Sequence, residues 1–180
     1  MRLGSSVLAL ATAAFLLTSA SSARSQEIPQ PLFGNCCSCK AQVKFLSGLD
    51  LLKVGARIIP TPTAVIDPVV TGMTVVLSNL NGTILSVAVP PGGFVEKMGG
   101  RKFVYKDKAA KASGGIFTAT LQERSDSVGG YIVSVKAYGD LSAATLADMT
   151  TQIVIGTSPF FDNSTWEQTS RGWKQSFPQL

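Results

Sequence analysis

Residues 66–107 read IDPVVTGMTVVLSNLNGTILSVAVPPGGFVEKMGGRKFVYKD, and this stretch decides the fold class. It contains three runs of strand-forming residues, Thr74–Leu77, Thr83–Val89 and Arg101–Lys106, separated by Asn-Gly, Pro-Gly and Gly-Gly. Short runs between such breakers are the pattern of antiparallel β-structure. A period of two puts Val75 and Leu77 on one face, then Leu85, Val87 and Val89, then Phe103 and Tyr105. Pro90 and Pro91 end the second run, because proline has no ladder donor.

The same period extends on both sides. Upstream, Ala41–Leu46 alternates, with Val43 and Phe45 sharing a face. Leu49–Ile59 reads as a strand with a bend at Gly55, although Leu51, Leu52 and Ile59 also fit a short helix. Downstream, Gly115–Gln122 puts Phe117, Ala119 and Leu121 together. Tyr131–Tyr138 points Tyr131, Val133, Val135 and Ala137 inward, and Thr151–Ile155 offers Ile153 and Ile155. About eight regularly spaced strands without a long amphipathic helix predict an all-β, antiparallel sandwich, immunoglobulin-like or related, over residues 41–157.

The flanks differ from this core. Residues 1–25 combine Arg2, an apolar run from Val7 to Ala20 and small residues around Ala23, the pattern of a secretory signal peptide. Without it 155 residues remain, enough for one domain, with 14 basic and 11 acidic side chains and a net charge of +3. Such a chain is expected in the periplasm, on the outer cell surface or outside the cell. Residues 26–40 form an arm carrying all three cysteines, Cys36, Cys37 and Cys39. Export favours a disulfide, and the odd third thiol would stay free or bridge to a second copy. Residues 158–180 are a polar, aromatic-rich tail. Trp166 and Trp173 stand there for stacking on a ligand or for docking onto the protein's own or a neighbouring sheet.

Catalytic chemistry has little to stand on. The chain has no histidine, which removes Ser-His-Asp and Cys-His catalysis and every His-ligated metal site. The aspartates are scattered singly, without the paired spacing of a glycosidase or the ligand cluster of a calcium loop. No catalytic residue, metal or cofactor is assigned. One charged feature is distinctive: Lys97, Arg101, Lys102, Lys106, Lys108 and Lys111, interleaved with Phe103 and Tyr105. These six cations are a candidate anion-binding patch; the competing reading is a lysine-guarded edge strand with its aromatics in the core.

Asp67-Pro68-Val69, Val89-Pro90 to Phe94, Gly99-Gly100 to Tyr105, Tyr131 to Leu141 and Gln152 to Gly156 together resemble a β-sandwich module of exported proteins from environmental Gram-negative bacteria. The resemblance spans Ile66–Gly156. It departs from that pattern at Ala147–Met149, where a second Pro-Val would stand. The module carries no assigned activity, so the resemblance implies a fold and export and no catalytic residue. The expectation is a non-catalytic structural or binding module of the cell envelope or extracellular space. The alternatives are a carbohydrate-binding or adhesive module and a hydrolase with a carboxylate site. Expected partners are an anionic glycan, or a second copy through the cysteines or the tail; nucleic acid is disfavoured.

Overall fold

The computed structural model describes residues 30–31, 40–62, 64–126 and 129–175. Residues 1–25, expected as a signal peptide, and Cys36, Cys37, Cys39 and Phe177 lie outside them. Twelve strands and two single helical turns follow in chain order: β1 (Gln30–Pro31), β2 (Lys40–Lys44), β3 (Asp50–Ile58), α1 (Pro68–Thr71), β4 (Met73–Asn79), β5 (Gly82–Val89), β6 (Val95–Lys97), β7 (Lys102–Lys106), α2 (Ala110–Ser113), β8 (Gly115–Glu123), β9 (Tyr131–Gly139), β10 (Asp148–Ile155), β11 (Ser158–Thr169) and β12 (Gly172–Gln175). Eleven of them form one antiparallel path, β5-β4-β10-β11-β12-β2-β3-β9-β8-β7-β6, and β1 adds a short parallel pairing to β11. The sheet curls into a half-barrel.

The all-β, antiparallel class holds, and the strand count exceeds the expected eight. The largest difference is the tail. Residues 158–175 are strands in the middle of the sheet. Over Ser158–Thr165, β11 pairs with β10; over Trp166–Thr169 it pairs with β12, which in turn pairs with β2. This one strand therefore joins the two halves of the sheet. Its inward residues close the core: Phe160 is fully buried, Trp166 is 2% exposed and Trp173, on β12, 7%. The Trp173 indole N–H donates to the Ala144 carbonyl at 2.6 Å, the partner a buried indole needs. Neither tryptophan is available to stack on a ligand.

Local chemistry explains the connections. Asp67 caps α1 by accepting from the Val69 and Val70 N–H groups, and Pro68 takes the first helical position, where its missing donor costs nothing. Gly72 ends the turn at φ +72°, and a Cβ there would lie 2.4 Å from the Val89 carbonyl oxygen, so the DPVVTG sequence requires its glycine. Asp50 is almost fully buried at the start of β3. It accepts from Leu46 N–H at 2.9 Å and Leu141 N–H at 3.0 Å, tying the β2–β3 turn to the loop after β9.

One inward assignment is extended and one changes, each at a β-bulge: in β5 Leu85, Val87 and Val89 keep their expected face opposite Leu77, Val75 and Met73, and Ile84 joins them in the core. In β5, Leu77 pairs with Leu85 and Ser78 with Thr83, so Ile84 is the extra residue. Both Ile84 and Leu85 are buried and Val87 is only partly so. In β8, Ile116 pairs with Ala137 and Thr118 with Lys136, which leaves Phe117 unpaired. Ile116 takes the core position expected for Phe117. A bulge resets the alternation by one residue, which is why simple alternation from Ala119 and Leu121 misplaces everything before it. Elsewhere the faces match: Val75, Leu77, Val133, Val135, Ala137, Ile153 and Ile155 are all buried in one cluster. Phe45 falls beyond the end of β2 and is 38% exposed. β3 runs in continuous register with β9 from Asp50 to Ile58, so the helical alternative is set aside.

Candidate functional site

The polar face of the larger half of the sheet collects lysines from distant parts of the chain. Strand register places Lys106, Thr118, Lys136, Lys53, Gln42 and Lys174 opposite one another in turn across β7, β8, β9, β3, β2 and β12. Five inter-strand steps of about 4.8 Å make this row about 24 Å long. On the same face Lys102 lies opposite Lys97, and Lys40 and Lys44 flank Gln42 two residues to either side. Glu167, opposite Lys174 at the end of the row, is the acidic side chain in this register.

Two pairs on this face break the usual rule of sheet pairing. Lys53 stands directly opposite Lys136 at the centre, and Lys97 directly opposite Lys102 near the edge. Like charges in that position repel and destabilise the sheet. Among the described residues the ion pairs use arginines instead: Arg57 with Asp126, Arg101 with Glu123 and Arg124 with Asp126. Arg57, 8% exposed, also donates through Nε to the Gly129 carbonyl at 3.1 Å. Its bond to Asp126 holds that carboxyl below the usual carboxylate range, against the opposing pull of desolvation.

The six-residue patch expected at 97–111 is thus divided. Lys97, Lys102 and Lys106 belong to the lysine face. Arg101 is engaged with Glu123 at 3.2 Å. Lys108 lies in the turn after β7, and Lys111, on α2, sits with its Nζ 4.8 Å from the centre of the Phe117 ring. The edge-strand reading is corrected as well. β7 is paired on both sides, and the edge is β6. Phe103 is buried and Tyr105 partly so, packed at 6.0 Å against Phe94.

The bulge turns Phe117 onto the lysine face, where its ring meets Tyr138 edge-on, with centroids 5.9 Å apart at 84°. Sequence reasoning missed Lys40, Lys44, Lys53, Lys136 and Lys174 as members of the site, and Phe117 and Tyr138 beside them. The signal was present in part, since each lysine occupies the polar phase of its own strand.

A shallow open cleft of about 350 Å³ lies beside the β4–β5 turn, lined from β4, β10 and β11. Asp148 is the carboxylate among its lining residues, and it accepts from the Thr165 hydroxyl; Thr150 donates to Asn163 at 2.6 Å. The other aspartates serve their own neighbourhoods: Asp107 accepts from Ala109 N–H, Asp140 from Ser142 N–H, and Asp162 from the Gln175 amide at 2.6 Å. Among the described residues no three Cys, Asp or Glu side chains gather as metal ligands would.

Asp162 yields a pH prediction. Burial raises its carboxyl above the ordinary range, against the opposing bonds from Ser164 and Gln175. A raised folded-state value means that this group's contribution to stability is complete below its unfolded value, about 3.9, and is lost as pH rises through the folded value. Asp162→Asn retains an acceptor for Gln175 and removes that loss. The melting temperature of the variant relative to the parent is therefore expected to rise between pH 3 and pH 7. A difference that stays constant across that range would contradict the assignment.

Compared with protein-family models, curated proteins and solved structures, the chain matches none.

Proposed function

We propose that the protein is an exported, non-catalytic binding module of the cell envelope or extracellular space, and that the lysine face is its binding surface. The observation that carries this reading is the opposition of Lys53 to Lys136 in the centre of the sheet. Sheets avoid directly opposed like charges, and departures from a local rule without compensation concentrate at functional sites. An anionic ligand laid across the row would supply the missing counter-charge. Export rests on the signal pattern in residues 1–25. The sandwich belongs to the same proposal: both halves of the curled sheet contribute to one core cluster, β4 and β10 from one side and β2, β3 and β9 from the other, as two packed layers would.

The test compares two double variants with the same net charge. Lys53→Gln with Lys136→Gln removes the central pair; Lys108→Gln with Arg171→Gln removes two exposed cations from outside the row. On a sulfonate matrix the first is expected to elute at clearly lower salt than the second, with a flatter dependence of retention on salt. Its melting temperature is expected to equal or exceed the parent's, because the repulsion is gone. Equal elution of the two variants would show that net charge alone is read, and the face would lose its role.

A further inference from the structure

The bulge in β8 does more than distort the ladder. We infer that it builds a ring-stacking subsite beside the lysine row, and that the ligand of this face is an acidic polysaccharide; this rests on the reading of the face as an anion-binding surface. Phe117 would pack in the core if β8 alternated without interruption. The single inserted residue gives that place to Ile116 and leaves Phe117 partly buried on the opposite face. Bulges commonly re-aim a side chain in this way at functional sites. Phe117 meets Tyr138 edge-on at 5.9 Å, and the Lys111 ammonium lies over its ring, 4.8 Å from the centroid, on a flexible stem that a stacking sugar would displace. The residue that follows it, Thr118, stands in register between Lys106 and Lys136. An aromatic pair and a line of ammonium groups therefore share one surface.

This combination matches the two chemical faces of an acidic sugar chain. The C–H face of a pyranose ring is apolar and packs on an aromatic side chain, while carboxylates repeat along the polymer and meet a row of flexible point charges. Phosphate polymers call for a different cation. Planar, bidentate recognition of phosphate and stacking on bases favour guanidinium. The guanidinium groups of Arg57 and Arg101 are already held by Asp126 and Glu123. The row itself is built from lysine.

The experiment is a calorimetric titration of the full chain with polygalacturonate, and with poly-L-glutamate as a polyanion without rings. Phe117→Ala is expected to weaken polygalacturonate binding about tenfold, the loss typical of one stacked ring, and to leave polyglutamate binding unchanged. Lys53→Gln with Lys136→Gln is expected to weaken both. Phe117→Leu keeps apolar bulk at the bulge and should bind like the alanine variant, which separates loss of the ring from local collapse. If Phe117→Ala changes neither affinity, the subsite is refuted and the anion-binding face stands. If neither polyanion binds the parent protein, the face itself is refuted. Tighter binding of oligothymidylate or of phosphatidylglycerol vesicles than of polygalacturonate would overturn the ligand class.

Discussion

A chain ending at Thr157 is expected not to fold. The truncation removes β11 and β12, the strands that hydrogen-bond the β5-β4-β10 half to the β2-β3-β9-β8-β7-β6 half. It takes Phe160, Trp166 and Trp173 out of the core and opens an unpaired edge on both β10 and β2. Each buried aromatic contributes about 3–5 kcal/mol, and a domain of this size has only about 5–15 kcal/mol in total. Exposed strand edges of that kind also promote aggregation. Circular dichroism and amide proton dispersion should show a chain without cooperative structure. A truncated protein with a sharp unfolding transition would mean that residues 158–175 are the appendage that their composition suggests.

Phe160→Ala should cost about 3–5 kcal/mol, through lost burial and the cavity left behind. Its ring is fully enclosed in the core cluster where β11 runs beside β10, opposite Ile153 in the ladder. Phe161, the next residue, points the other way and is only partly buried, so Phe161→Ala should cost much less. Urea unfolding of both variants at unchanged m-value gives the comparison. Equal losses at the two positions would contradict the facing assigned to β11.

Much of the fold between Lys40 and Gly139 is legible without a structure, because period-two alternation is strong there and turn residues mark the ends. Val133, Val135 and Ala137 are inward for the reason their pattern implies. Ile84 and Phe117 are not legible, since one inserted residue leaves no compositional trace while it breaks the alternation on which their facing was read. β11 is hidden for another reason. Pro159, Asp162 and Asn163 are poor strand formers, and only the interior of the sheet, where Phe160 and Trp166 pack, outweighs their preferences.

The lysine face shows the same division. Lys53, Lys136 and Lys174 each lie on the polar side of a recognisable or hidden strand, but their meeting depends on strand order. β3 lies beside β9 and β12 beside β2, pairings between segments far apart in the chain. Local clustering in the sequence therefore points to residues 97–111, of which only Lys97, Lys102 and Lys106 are placed on the face. Phe117 is a candidate ligand contact for the same structural reason that it is a failed core residue.

The most direct measurement is an amide chemical-shift titration of the labelled full chain with polygalacturonate. Shifts should concentrate on one face of four strands distant in sequence, at Lys53, Lys136, Lys174 and Lys106, and at Phe117 and Tyr138 beside them. The cleft near Asp148 should stay unchanged. Shifts confined to residues 97–111, or centred on the cleft, would contradict a binding surface assembled by the sheet.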